Sequence, residues 1–473
     1  MRALTMPLEE LAEFEEIKKE QKKGKGVLQV SGCVRSQKTH LVYALSGEAG
    51  RRVIVCASES KARQMYEEYR FLDSDVRFYP AKDFLFYQAD IRSKELMSQR
   101  MSVIQAVLEQ ERITVVLSFD ALMDALPLPG AVRDQAIAIE NGAAIDFQQV
   151  QRRLAQAGYD REAQVEGPGQ FALRGGILDV YSPAMEAPVR AEFFGDEVDA
   201  LGIFDPVTQR RTANVEQAVL LPAAETLPHL APGGLAGLLK QLDQRSAAAV
   251  RDGLEELAAT LRQDREALEE GRSFPAADRY LPLIYPELAT AADYLPYDAC
   301  VLFSESSRVG ERAKTWQWQL EEDVKTLLER GELDGACGAL SRSYDQLCRR
   351  LEDFPFAYLD SFALSAYPAA PRCVLSLMAK QLPSFGASLE TAVQDLSHYQ
   401  SAGFSVLVLV SSEQRALNLQ TLLREQKVKA GVDFALKALP RPGQILLTVG
   451  GLSGGMEYPG LKLAVITEGQ SGG

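Results

Sequence analysis

Short, largely apolar runs alternate with longer segments of helical periodicity through the first part of the chain. Residues 26–30, 53–56, 76–79 and 114–117 read as strands. Helices are expected through 41–45, from Ser58 as N-cap to about 69, and over 93–108. Strands apolar at consecutive positions must be covered on both faces, so the pattern predicts a parallel sheet between helical layers. At Leu126-Pro127-Leu128-Pro129-Gly130 this pattern breaks. From 137 to 221 the period shortens to two, with one helix at 146–157 and turn signals at Pro168-Gly169, Gly175-Gly176 and Gly195-Asp196. That is the pattern of a separate, smaller α+β domain. Beyond Pro222 the chain turns helical: 246–270 is rich in Ala, Leu and Glu, and 274–296 in Pro and Tyr. A strand at 299–303 then precedes a helix over 311–330, and 334–350 reads as helical linker. Residues 356–467 return to α/β. There the strand 406–410, a Ser411/Ser412 cap and a helix to about 425 repeat the layout of 53–69, as shared α/β grammar.

Composition narrows the class. A chain of 473 residues is several domains long, and its 46% hydrophobic and 25% charged residues argue against long disorder. The net charge of −14 opposes a freestanding nucleic-acid grip, which needs a basic excess, and only 18–25 forms a basic run. The six cysteines form no C-x-x-C pair and the three histidines stand far apart, so no metal site is expected. Cys56 reads as a buried free thiol, which suits a reducing cytoplasm. The charged first 25 residues lack the apolar core of a signal peptide, and no apolar run is long enough to span a membrane.

The first candidate for chemistry is Gly32-Cys33-Val34-Arg35-Ser36-Gln37-Lys38-Thr39, placed after a strand and before a helix as a phosphate-binding loop is. Lys38 and Thr39 are the residue types that hold phosphate and Mg²⁺. Gln37 stands where the second glycine of the pattern belongs, restricting the backbone and crowding the site. A nucleotide hydrolase also needs a metal-binding carboxylate at a strand end; after 299–303 the residues are Ser304-Glu305-Ser306-Ser307, one Glu with no preceding Asp. Two partial losses in one site read as a dead nucleotide site, with Gly32, Gln37, Lys38, Thr39 and Glu305 as its remnants.

The richest stretch is 165–211, which carries Gly169-Gln170-Phe171-Ala172-Leu173-Arg174-Gly175-Gly176 and Val189-Arg190-Ala191-Glu192-Phe193-Phe194-Gly195-Asp196. Region 137–221 contains seven Arg and no Lys, a lean towards protein recognition. Period two places Val189, Ala191 and Phe193 on one face and Arg190, Glu192 and Phe194 on the other. An exposed Phe beside an Arg is a common interface anchor. Equally, Phe194 can pack under a neighbouring loop while Arg190 pairs with an acidic side chain.

This stretch, with Phe204-Asp205 and Thr208-Gln209-Arg210-Arg211, resembles the domain shared by the excision-repair protein UvrB and the transcription-repair coupling factors, which in both docks onto the repair ATPase UvrA. The broken loop, the missing Asp beside Glu305, the short path from Tyr79 to Arg100, and the runs Asp293-Tyr294-Leu295-Pro296 and Gly451-Leu452-Ser453-Gly454-Gly455 are similar to the coupling factors. The resemblance implies a multidomain α/β fold: a degenerate P-loop, RecA-like parallel-sheet domain (lobes at 1–135 and 223–335) split by an inserted α+β UvrA-binding domain (136–222). A linker (336–354) and a small α/β domain (355–473) follow. It further implies that Arg174, Arg190 and Phe194 contact UvrA and that the chain has no catalytic residues and no cofactor of its own. ATP and Mg²⁺ would belong to a translocase motor outside it, as would contacts to RNA polymerase and double-stranded DNA. In the family a C-terminal region masks the UvrA surface; this chain, expected to be a fragment lacking it, would bind constitutively. The rivals are a UvrB-type, nucleotide-dependent DNA-damage handler and a generic α/β binding scaffold.

Overall fold

The computed structural model describes residues 12–23, 26–32, 39, 43, 50–82, 91–272, 277–338, 343–377, 379–386 and 388–469. A seven-stranded, wholly parallel sheet runs in the order Pro371–Ser376, Val27–Ser31, Phe356–Leu359, Cys300–Ser304, Arg51–Cys56, Ile113–Ser118, Val76–Tyr79. Its central strands are buried along nearly their whole length, as consecutive apolar positions require. Ser58 caps the Glu59–Leu72 helix by accepting the Lys61 N–H at 3.2 Å. Ser412 does the same for Arg415 at 3.2 Å on the Glu413–Glu425 helix, which reproduces the layout read from the sequence.

Between Ile113–Ser118 and Cys300–Ser304 the chain leaves this sheet for one long excursion in two parts. It first enters the inserted domain through Ile137–Glu140 and leaves through Gln217–Leu220, and these two strands pair antiparallel. Between them lies a six-stranded sheet ordered Arg211–Asn214, Glu197–Phe204, Val189–Phe194, Ile177–Tyr181, Gln170–Arg174, Asp160–Arg161. The Phe147–Gln156 helix, capped by Asp146, packs Val150 and Leu154 into the same core as Leu178, Val180, Val189 and Ala191. The chain then forms a helical hairpin, Gly234–Arg251 and Glu255–Glu269. The sequence pattern places one helical stretch over 246–270; the break falls at Asp252-Gly253, where Gly253 takes a left-handed φ of +74°.

Two boundaries expected from the sequence are corrected. Phe356–Leu359 and Pro371–Ser376 belong to the seven-stranded sheet, where Phe356–Leu359 lies between Val27–Ser31 and Cys300–Ser304. Residues 355–377 therefore complete the first domain rather than open the last one. The stretch 336–354 is no linker: its Tyr344–Leu351 helix buries Leu347, Cys348 and Leu351 against Phe303 and Phe356 in the core of that sheet. Strand pairing decides both points, and apolar periodicity carries no record of which strand lies next to which.

The last domain has a six-stranded mixed sheet, Lys380–Leu382, Gly455–Tyr458, Leu463–Thr467, Ser405–Val410, Ile445–Val449, Gly431–Val432. It shares a core with the first: Leu407, Leu409, Leu452, Met456 and Tyr458 pack in one cluster with Ile54, Met65, Tyr69 and Leu72. Cys56, Cys300, Cys337 and Cys348 are buried and outside any disulfide, and burial pushes the last three thiols up to about 12. Among the described residues no helix is long and apolar enough to cross a membrane.

Candidate docking face of the inserted domain

Of the residues expected to be phosphate-loop remnants, Gly32 and Glu305 stand at the carboxyl ends of two strands of the large sheet. Gly32, with φ +80°, turns the chain out of Val27–Ser31 and donates its N–H to the Ser361 carbonyl at 3.1 Å. Gln37 and Lys38 lie outside the described residues. Thr39 is fully buried, and its hydroxyl donates to Oε2 of Glu68 at 2.8 Å. The other oxygen of Glu68 accepts the Ser453 N–H from the last domain at 2.9 Å. A hydroxyl that serves Mg²⁺ must face the phosphates; this one faces a carboxylate at a domain seam. Glu305, in left-handed backbone at φ +60°, accepts both the N–H and the hydroxyl of Ser361, at 3.0 and 2.7 Å. Both polar side chains are thus committed to internal hydrogen bonds.

On the inserted sheet, Val189, Ala191 and Phe193 face the core while Arg190, Glu192 and Phe194 share the opposite face. Two-residue hairpin turns at Gly175-Gly176 and Gly195-Asp196 end the strands Gln170–Arg174 and Val189–Phe194. The first residue of each turn has a left-handed φ, +61° at Gly175 and +63° at Gly195, which glycine adopts without strain. The two strands run in the same direction with one strand between them, so Arg174 and Phe194 stand at the same end of the sheet, roughly 10 Å apart across the strands. Phe194 is 82% exposed.

Arg190 is differently placed. Its Nε and Nη2 donate to both oxygens of Asp179 at 2.7 and 3.0 Å, and Nη1 donates to the Gln209 carbonyl at 2.9 Å. The guanidinium also lies 4.4 Å from the centre of the Phe204 ring, and only 14% of the side chain is exposed. Hydrogen bonding to Asp179 pushes its pKa up from the ordinary value. Arg174, 53% exposed, makes a looser ion pair with the same carboxylate at 3.5 Å. Of the alternatives open from the sequence, no loop among the described residues covers Phe194, and Arg190 pairs with an acid while lying on the Phe194 face.

Two features of the face were not singled out from the sequence. Asp179 is nearly fully buried and holds both arginines; its signal was an acid inside the apolar strand Ile177-Leu178-Asp179-Val180. Glu192 pairs with Arg211 at 3.4 Å, a contact between strands that are not neighbours in sequence.

Residues 137–225, the inserted domain with its entry and exit strands, match the family model of the UvrB interaction domain. Beyond that domain the likeness runs along nearly the whole chain. It is 28% identical over 447 residues to a transcription-repair-coupling factor of Bacillus subtilis, covering 93% of this chain. The chain is thus similar, along most of its length, to part of transcription-repair-coupling factors. The coupling factor of Staphylococcus haemolyticus is 27% identical over 405 residues, 84% of this chain. That of Staphylococcus aureus strain USA300 is 23% identical over 450 residues, 93% of this chain. The chain spans 33 to 38% of the length of these coupling factors.

Proposed function

We propose that the chain is the UvrA-recruiting, regulatory N-terminal module of a transcription-repair-coupling factor, linking stalled RNA polymerase to nucleotide excision repair in the cytoplasm. The observation that carries the reading is Phe194, an aromatic side chain left 82% exposed beside Arg174 and Arg190, within the domain matched to the UvrB interaction family. Phe supplies apolar area at the centre of a docking patch, and Arg supplies planar donors to carboxylates and carbonyls at its rim. Among the described residues nothing covers Phe194, and binding is expected to need no release step. Polymerase, double-stranded DNA and an ATP-driven motor belong to parts of the coupling factor outside this chain. The large sheet is then a RecA-like nucleotide fold kept as scaffold, needing no ATP or Mg²⁺, a reading supported by the internal engagement of Thr39 and Glu305.

Calorimetric titration with UvrA tests this. Phe194→Ala and Arg174→Glu are expected to weaken binding by more than about 1–2 kcal/mol each. Wild-type affinity in both folded variants would overturn the docking reading. For the rival UvrB-type enzyme, saturable and tight Mg²⁺-ATP binding by the wild-type chain would decide against a non-catalytic scaffold.

A further inference from the structure

The face that carries Phe194 has a second exposed apolar side chain at its far end. Glu197–Phe204 runs antiparallel to Val189–Phe194, so the turn after Phe204 lies at the Val189 end of the sheet, opposite the Phe194 hairpin. Phe204 and Gly202 share the Arg190 side of the sheet, with Gly202 paired directly to Arg190. The turn at 205–209 closes over this side: the Gln209 carbonyl accepts Arg190 Nη1, and the Gln209 amide donates to the carbonyls of Val165 and Pro206 at 3.0 and 2.8 Å. Asp205 Oδ1 accepts the N–H groups of Val207 and Thr208 at 2.7 and 3.3 Å. At its tip Val207 is 88% exposed.

We propose that Val207 is a second apolar anchor of the UvrA-docking face, held in place by the Asp179–Arg190–Gln209 chain of hydrogen bonds. The inference rests on the docking reading and extends it. A single exposed Val is ordinary on a protein surface. The turn that carries Val207 is tied to Arg190 of the candidate face through the Gln209 carbonyl and is fixed by further hydrogen bonds of its own, so little conformational freedom is lost when a partner covers it. Four residues of strand put Phe194 about 13 Å from Arg190, and the turn extends the strip to roughly 20 Å, which fits within the roughly 800 Å² that a standard interface buries on one partner. The partner surface that fits is two apolar hollows that far apart, with carboxylates opposite Arg174. Arg190 then acts as a positioning residue, its donors turned inward to Asp179 and the turn.

The test is UvrA binding by the full chain carrying Val207→Asp, Phe194→Ala, or both, with thermal melting of each. Val207 is exposed enough that its substitution leaves the melting temperature unchanged. Val207→Asp is expected to weaken binding at least tenfold, and the double variant more than either single one. Wild-type affinity in Val207→Asp beside a weakened Phe194→Ala would overturn the second anchor and leave the docking reading standing. Wild-type affinity in both would overturn the two together.

Discussion

Arg190 and Phe194 sit four residues apart on one strand face, yet their substitutions should separate cleanly into stability and binding. Removing the Phe194 ring takes away exposed area and nothing the fold uses, so Phe194→Ala should leave the denaturation midpoint within about 0.5 kcal/mol of wild type. Removing the Arg190 guanidinium leaves the buried Asp179 with only the looser contact to Arg174. An uncompensated buried carboxylate is costly, and Arg190→Ala should destabilise the inserted domain by about 2–4 kcal/mol in urea unfolding. An unchanged midpoint for Arg190→Ala would show that the Asp179 pair contributes nothing to the fold. The same contrast appears at the expected phosphate loop, where Thr39 is the residue type that nucleotide chemistry calls for but donates instead to Glu68.

At the scale of elements, the Glu59–Leu72 helix joins two domains. Ala62, Met65, Tyr69 and Leu72 are buried on it, while Glu68 holds the Ser453 N–H and Phe71 lies against Gly450. A Cβ on Gly450 would stand 2.2 Å from the Phe71 ring, closer than any packed pair allows, so the seam closes only because residue 450 is glycine. Gly450→Ala should cost about 1–3 kcal/mol through overpacking. Combining it with Phe71→Ala should cost clearly less than the sum of the two single changes. Additive losses in denaturant unfolding would place the strain elsewhere. The helix itself was legible in the sequence from its cap and its apolar period. Its second partner was not, because a 3.6-residue period shows which side of a helix is buried and not what buries it.

At the scale of the molecule, a buried charge cluster fixes where the inserted domain is attached. Arg100 bonds Glu225 at 2.9 Å and Asp124 at 3.1 Å, Lys82 pairs with Glu225 at 2.5 Å, and Asp278 lies 3.8 Å from Lys82. Glu225 lies just past the exit strand Gln217–Leu220, so the cluster ties that exit to the large sheet and to the helical region. Two cations face three carboxylates, and burial pushes Asp124 up to about 6, against the pull of Arg100 and Lys82. A carboxyl raised in the fold supports the fold fully below its ordinary pKa near 4 and loses that contribution as pH rises through about 6. Asp124→Asn keeps the neutral form at every pH. Relative to wild type it should therefore gain on the order of 2–3 kcal/mol between pH 4 and pH 7, read from urea midpoints across that range. Parallel pH curves for the two proteins would show that Asp124 is not raised in this way.

The sequence alone determined the elements and the place to look. Apolar runs marked the parallel strands, period two and paired glycines marked the inserted domain, and alternation put Arg190 and Phe194 on one face. These features are local, set by side-chain periods and turn chemistry within a few residues. Tertiary structure alone decided the neighbours. It assigned 356–376 to the first sheet, gave Arg190 to Asp179, turned Thr39 towards Glu68, and brought Arg100 to Glu225 across 125 positions. Strand order and buried ion pairs depend on which distant segments fold against each other, and a carboxylate carries no mark in the sequence of the cation that will neutralise it.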